Sequence, residues 1–194
     1  MGIEELAKEV ANGLVNTGVE GGFECVTCST AGDYPSCGCS QWEGNRANNL
    51  LSMIDGGSHY ANRSYSDIEN AGELDALSAL LDSEQGQQAQ LNLLASDAVD
   101  YVNAAIDNGL TDARCVIFAG IWGPTSTYIE GLFIKNRIAR GYDIAANLEN
   151  LYHVWHDQYT DAAGVGEQYR EGYENRADNT YNYVANLDLS AYGY

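Results

Sequence analysis

The sequence predicts an all-α fold, in which several helices pack around a buried apolar helix and a cysteine-rich loop follows the first helix. Three observations lead there. Apolar residues recur at helical spacing along nearly the whole chain, whereas strand-like alternation is confined to a possible short hairpin within residues 22–40. The run Cys115-Val116-Ile117-Phe118-Ala119-Gly120-Ile121-Trp122 is apolar on every side, as a helix enclosed by others must be. Gly, Asn and Pro punctuate the chain at intervals that suit helix ends.

Taken in order, Ile3, Leu6, Ala7, Val10 and Leu14 form one face of a first helix that fades at Asn16-Thr17-Gly18. A second helix spans 46–54 and stops at Asp55-Gly56-Gly57, and a third spans 73–81. A long helix over 83–108 places Leu91, Leu94, Ala98, Val102 and Ile106 on one side, with Gly109 as its stop. The apolar helix covers 113–122 and ends at Gly123-Pro124. Helices over 128–140, 147–156 and 166–184 complete the set. Half of the 14 tyrosines fall after Gln158, among many Asn and Asp, and residues 159–194 read as a peripheral helix and tail on the domain formed by residues 1–158.

Composition narrows the function. At 194 residues and 45% hydrophobic, the chain is long enough for a substantial core. Nine Lys and Arg against 28 Asp and Glu give a net charge of −19. Nucleic-acid backbones and anionic membrane surfaces are recognised through Lys and Arg, so neither is an expected partner. No stretch is apolar enough to span a membrane, and the N-terminal residues show no basic segment followed by an apolar run.

The chemistry concentrates between Glu20 and Leu51. A lone glutamate follows the first helix, and Gly21-Gly22-Phe23 leads into a Gly/Ser/Cys-rich loop. Gly38-Cys39-Ser40-Gln41-Trp42-Glu43-Gly44-Asn45-Arg46-Ala47 then opens the second helix. An isolated glutamate near a helix end is ordinarily a solvated surface residue. Here it stands in register with a Gln-Trp loop, and this stretch resembles the lysozyme-like glycosidase domain of phage endolysins and related bacterial wall hydrolases. In that family a Glu-Gly-x-aromatic segment ends one helix and Gly-x-x-Gln-Trp-x-Gly-x-Arg-Ala opens the next.

The resemblance implies cleavage of the β-1,4 glycan of peptidoglycan, outside the cytoplasm, by a secreted, virion-borne or otherwise released enzyme that a wall-binding or virion subunit could deliver. It makes Glu20 the general acid, which must stay protonated near neutral pH and therefore needs partly apolar surroundings. Asp33 is the expected second carboxylate, with Glu43 and Glu24 behind it. Residues 27–37 depart from the family's Asn-Asp run, carrying Cys and Pro instead. Gln41, Trp42 and Glu43 are expected at the substrate, and Trp122 and Tyr128 as aromatic walls, although core packing is the commoner fate of such rings. Catalysis needs no cofactor on this reading. A lytic transglycosylase, or a non-catalytic glycan-binding or virion structural protein of the same fold, are the alternatives.

Cys25, Cys28, Cys37 and Cys39 admit two readings. Four thiolates could hold a structural zinc, although a Cys-x-Cys second pair is less usual than Cys-x2-Cys. Alternatively, two disulfides join Cys25 and Cys28 to Cys37 and Cys39, because bridges within such close pairs are strained. A Cys/His nucleophile, Cys25 or Cys37 with His59, would need a sheet scaffold that the pattern does not offer.

Overall fold

The computed structural model describes residues 2–192, and it is predominantly helical, with one two-stranded ribbon among those residues. The chain divides into two compact units. One comprises the residues up to Val19 together with those from Ala95 onward, and the other is Glu20–Leu94.

The first unit is built on α1 (Ile3–Asn16) and α6 (Ala113–Ile121). Leu6, Ala7, Val10, Ala11, Gly13 and Leu14 are buried on α1, and all of α6 except Arg114 is buried. Asp112 starts α6 by accepting hydrogen bonds from the Arg114 and Cys115 amides on Oδ1, satisfying two otherwise free donors. The two helices meet through small residues. A β-carbon on Gly13 would overlap Ile121, and one on Gly120 would lie 2.5 Å from Val10 Cγ2. Each glycine thus receives a branched side chain from the opposite helix, which lets the backbones approach closely.

The same unit holds α7 (Gly123–Ala139), α8 (Leu148–Ala162) and α9 (Arg170–Ala185), and α6 packs on each of them. The sequence expectation of a break at Gly123-Pro124 is met in altered form. Pro124 sits in the first turn of α7, where its missing N–H is harmless. The real interruption is Ser126, whose extended backbone (φ −178°, ψ 111°) separates that turn from the remainder, and whose Oγ accepts a hydrogen bond from the Ile129 N–H. Helix α8 runs six residues beyond the expected end at His156, to a left-handed Gly164. Phe118, Trp122, Phe133, Trp155 and Tyr159 form an interlocking aromatic core, with ring centroids 4.8–5.6 Å apart.

The second unit begins with β1 (Val26–Cys28) and β2 (Pro35–Cys37), an antiparallel hairpin pairing Val26 with Cys37 and Cys28 with Pro35. Its helices are α2 (Gly44–Ser52), α3 (Tyr65–Asn70), α4 (Leu74–Asp82) and the first part of α5 (Glu84–Asp107). Helix α3 is too short to show a periodic pattern. Its signal is the start motif Ser64-Tyr65-Ser66-Asp67, in which Ser64 Oγ accepts from the Asp67 amide. The buried line along α5 is rotated from the expected one. Ala89, Gln90, Leu93, Leu94, Ala98, Val102 and Ala105 are buried, while Leu91 is half-buried and Ile106 is 38% exposed. The expected line through Leu91, Leu94, Ala98, Val102 and Ile106 ran through apolar residues alone and passed over a buried glutamine.

Candidate functional site

The hairpin unit presents Glu20 through a short chain of backbone bonds. After α1 ends, the Gly21 N–H donates to Cys39 C=O at 2.8 Å, and the Gly38 N–H donates to Cys25 C=O at 2.7 Å. These two bonds tie the segment behind Glu20 to the turn Gly38–Gln41. Cys37 and Trp42 exchange both N–H···O bonds at 2.9 Å, closing that turn. Gly38 takes a left-handed φ of 75°, and a β-carbon there would overlap the Gln90 amide and approach Trp42 Cζ3 to 3.3 Å.

Gln41 also has a positive φ (50°), and its side chain is spent on the loop. Nε2 donates to Gly38 C=O at 2.9 Å and reaches Cys25 C=O at 3.5 Å, while Oε1 accepts from Thr27 Oγ1 at 2.5 Å. Its place is that of a brace between turn and hairpin. Trp42 is 5% exposed, so it supports the turn from the core side. Glu43, at the N-cap of α2, accepts a 2.5 Å bond from Ser36 Oγ. Hydroxyls from Ser36 and then Ser29 hold its carboxyl below the ordinary glutamate range.

Sequence reasoning missed the residue on which this turn rests. Gln90 is fully buried on α5; its Oε1 accepts from the Cys39 N–H at 2.9 Å, and its Nε2 donates to Leu81 C=O at 2.9 Å and Phe23 C=O at 3.3 Å. The available signal was a polar amide in line with Ala89, Leu93 and Leu94, since a polar group placed on an apolar face must find partners there.

Asp33 lies at the other end of the hairpin, in the tip turn. Its Oδ1 accepts from both the N–H (2.9 Å) and Oγ (3.0 Å) of Ser66, in the first turn of α3. Those bonds, the backbone one foremost, depress its pKa and keep it ionised. Asp33 also borders a cleft of about 360 Å³ whose wall includes Tyr34, Asn45, Asn48, Asn62 and Arg63. Asn48 and Asn62 bond to each other across it, with Nδ2 to Oδ1 at 2.8 Å. Arg63 is paired with Glu73. The cleft therefore offers amides, a phenol and balanced charges, a lining suited to a neutral polar ligand. Glu20 and the Gln41 turn are at the base of the hairpin and Asp33 is at its tip, so the expected acid pair is split between its two ends.

Two expected aromatic walls belong to the other unit. Trp122 has no exposed surface, lying 4.8 Å from the Tyr159 ring with the Arg176 guanidinium 4.2 Å over it. That placement corrects the groove-wall expectation, because a fully enclosed indole has no face to stack on a sugar. Tyr128 is 75% exposed on α7.

The four loop cysteines are free thiols that do not converge. In the ladder, Cys28 and Cys37 share one face of the ribbon, and Cys25 falls on the opposite one. Cys28 Sγ turns toward Gly32 C=O at 3.9 Å. Burial pushes the Cys37 thiol up to about 12, and the Cys39 thiol likewise with help from the nearby Glu20 charge. Among the described residues no group of three or more His, Cys, Asp or Glu is gathered as a metal site.

The chain matches no family model, no curated protein and no solved structure.

Proposed function

We propose that this chain is a lysozyme-like peptidoglycan hydrolase that cleaves the β-1,4 glycan with Glu20 as general acid. The observation that carries this reading is the order helix α1, Glu20, hairpin, Gln41 turn, helix α2, with the Gly21–Cys39 bond holding the glutamate against that turn. A proton donor stationed on a braced backbone, rather than on a free loop, keeps its position through the reaction. Glu20 is half-buried, so it can reach solvent-borne substrate while being partly desolvated. It protonates the departing glycosidic oxygen as the sugar acquires cationic character.

Asp33 serves this scheme as a clasp, its carboxylate engaged by Ser66, and Glu43 is the ionised carboxylate adjoining the Gln41 turn. The amide-lined cleft beside Asp33 provides hydrogen-bonding groups of the kind that acetamido sugars require.

Clearing of bacterial wall suspensions tests the reading. The parent is expected to clear them and Glu20→Gln to lose at least about a hundredfold in rate, the scale of a lost general acid. Reducing ends among the products mark a hydrolase, and anhydro ends a transglycosylase. An inert parent on several wall types, or a Glu20→Gln variant as fast as the parent, ends the proposal.

A further inference from the structure

The register of the hairpin decides which cysteines can bond. Val26 pairs with Cys37, so Cys25 stands one step outward, opposite Gly38 and hydrogen-bonded to it at 2.7 Å. That pairing is one-sided, because the Cys25 N–H donates to Gly22 C=O at 3.2 Å, folding the chain back beside Gly21. Cys39 is the residue after Gly38, where the left-handed turn brings the chain back, and its carbonyl accepts from Gly21. A point on Gly21, where a β-carbon would sit, lies 3.8 Å from Cys25 Sγ and 3.2 Å from the Cys39 carbonyl oxygen. Both cysteines therefore flank one small residue.

The two cross-pairings through Cys37 are worse. Cys25 and Cys37 point to opposite faces of the ribbon. Cys28 and Cys37 share a face but are diagonal neighbours, whose Cα separation of about 7–8 Å exceeds what a disulfide spans. Cys28 Sγ also faces the tip carbonyl of Gly32, away from Cys37.

We propose that Cys25 and Cys39 are a disulfide-forming pair that, in an oxidising setting, covalently staples the Glu20 segment to the Gln41 turn, leaving Cys28 and Cys37 as thiols. The chemistry is thiol–disulfide exchange with a small-molecule disulfide such as oxidised glutathione. The thiolate of Cys25, the more exposed of the two, attacks one sulfur of the oxidant and releases one thiol. Cys39, deprotonated, then displaces the second thiol and closes the protein disulfide. Two protein thiols lose two protons and two electrons, and one oxidant disulfide is reduced to two thiols. The proposal does not depend on what the chain cleaves.

The test is incubation of the folded, full chain with oxidised glutathione, followed by a thiol count in denaturant and cross-link mapping after cleavage at Asp33 and the aromatic residues. The free thiols should fall from five to about three, with one cross-link joining Cys25 to Cys39. Cys28→Ser/Cys37→Ser should still lose about two thiols, whereas Cys25→Ser and Cys39→Ser should lose none to an internal bridge. The Cys28→Ser/Cys37→Ser chain keeps both proposed partners, so it remains decisive even if Cys25→Ser or Cys39→Ser fails to fold. Five persistent thiols, a count near one, or a bridge through Cys28 or Cys37 overturns the assignment.

Discussion

The buried amide of Gln90 holds the backbone of Cys39, accepting its N–H at 2.9 Å while donating to the carbonyls of Leu81 and Phe23. One side chain thus fixes the helix before it, the segment after Glu20 and the turn leading to Gln41. Replacement by leucine would fill similar space but leave one donor and two acceptors without partners. Gln90→Leu should cost about 2–4 kcal/mol, since each stranded buried group costs about 1–3 kcal/mol and the effects overlap. Urea titration measures this, and a loss within experimental error would mean that the turn does not depend on Gln90. Gly38→Ala should show a comparable defect, as its added carbon meets that same amide at a positive φ.

Asp33 is predicted to act as a positioning group. Its folded-state pKa lies below the ordinary aspartate value of 3.8, so its contribution is present above that value and is lost as pH falls through the folded pKa. Asp33→Ala should speed amide exchange at Ser66 at pH 7, with little change at the Gly21 amide. The two exchange rates, followed by NMR, separate a clasp at the hairpin tip from a general loss of structure. Unchanged Ser66 exchange would show that the clasp carries no weight.

Glu130 produces the opposite pH dependence. It is 4% exposed on α7, and burial raises its pKa to about 9 despite Arg176 and the Ser126 amide, which act the other way. Its unfolded value is near 4.5, so between these values the folded chain holds a proton that the unfolded chain has released. Stability must then fall as pH rises from about 4.5 towards 9, with a slope approaching 1.4 kcal/mol per pH unit for one proton. Glu130→Gln removes that slope. Urea midpoints of parent and variant at pH 5, 6.5 and 8 should therefore diverge as pH increases, the variant becoming relatively more stable; parallel curves would contradict the burial of this acid.

The close meeting of α1 and α6 predicts a purely structural defect. Gly120→Ala introduces a methyl 2.5 Å from Val10 Cγ2 and should cost about 1–3 kcal/mol through overpacking. Pairing it with Val10→Ala should restore part of the loss. Thermal melts of the two single variants and the double variant supply the cycle, and strict additivity would mean that the two residues do not share the contact.

Much of this was legible in the residues. The helical class, the enclosed α6 segment, the hairpin region and the stops at Gly56 and Gly109 follow from periodicity and backbone chemistry, which act locally. The placement of Asp33 did not follow, because its partner Ser66 is 33 residues away and no local pattern encodes that pairing. Gln90 escaped for a related reason: its three bonds reach 9, 51 and 67 residues along the chain. Trp122 shows a third limit. An aromatic residue beside a Gly-Pro break reads equally well as surface or core until the rings of Trp155 and Tyr159 are in place around it.

The three tryptophans are unevenly shared between the two units: Trp42 stands alone in Glu20–Leu94, and Trp122 and Trp155 neighbour each other in the other unit. The chain thereby contains two optical reporters of different kinds. A Trp122→Phe/Trp155→Phe chain would emit only from the indole beneath the Gln41 turn, and a Trp42→Phe chain only from the coupled pair. Loosening of the turn, as on reduction of a Cys25–Cys39 bridge, would then appear as a red shift in the first chain and leave the second unchanged, so the behaviour of each unit can be followed in solution without adding a label.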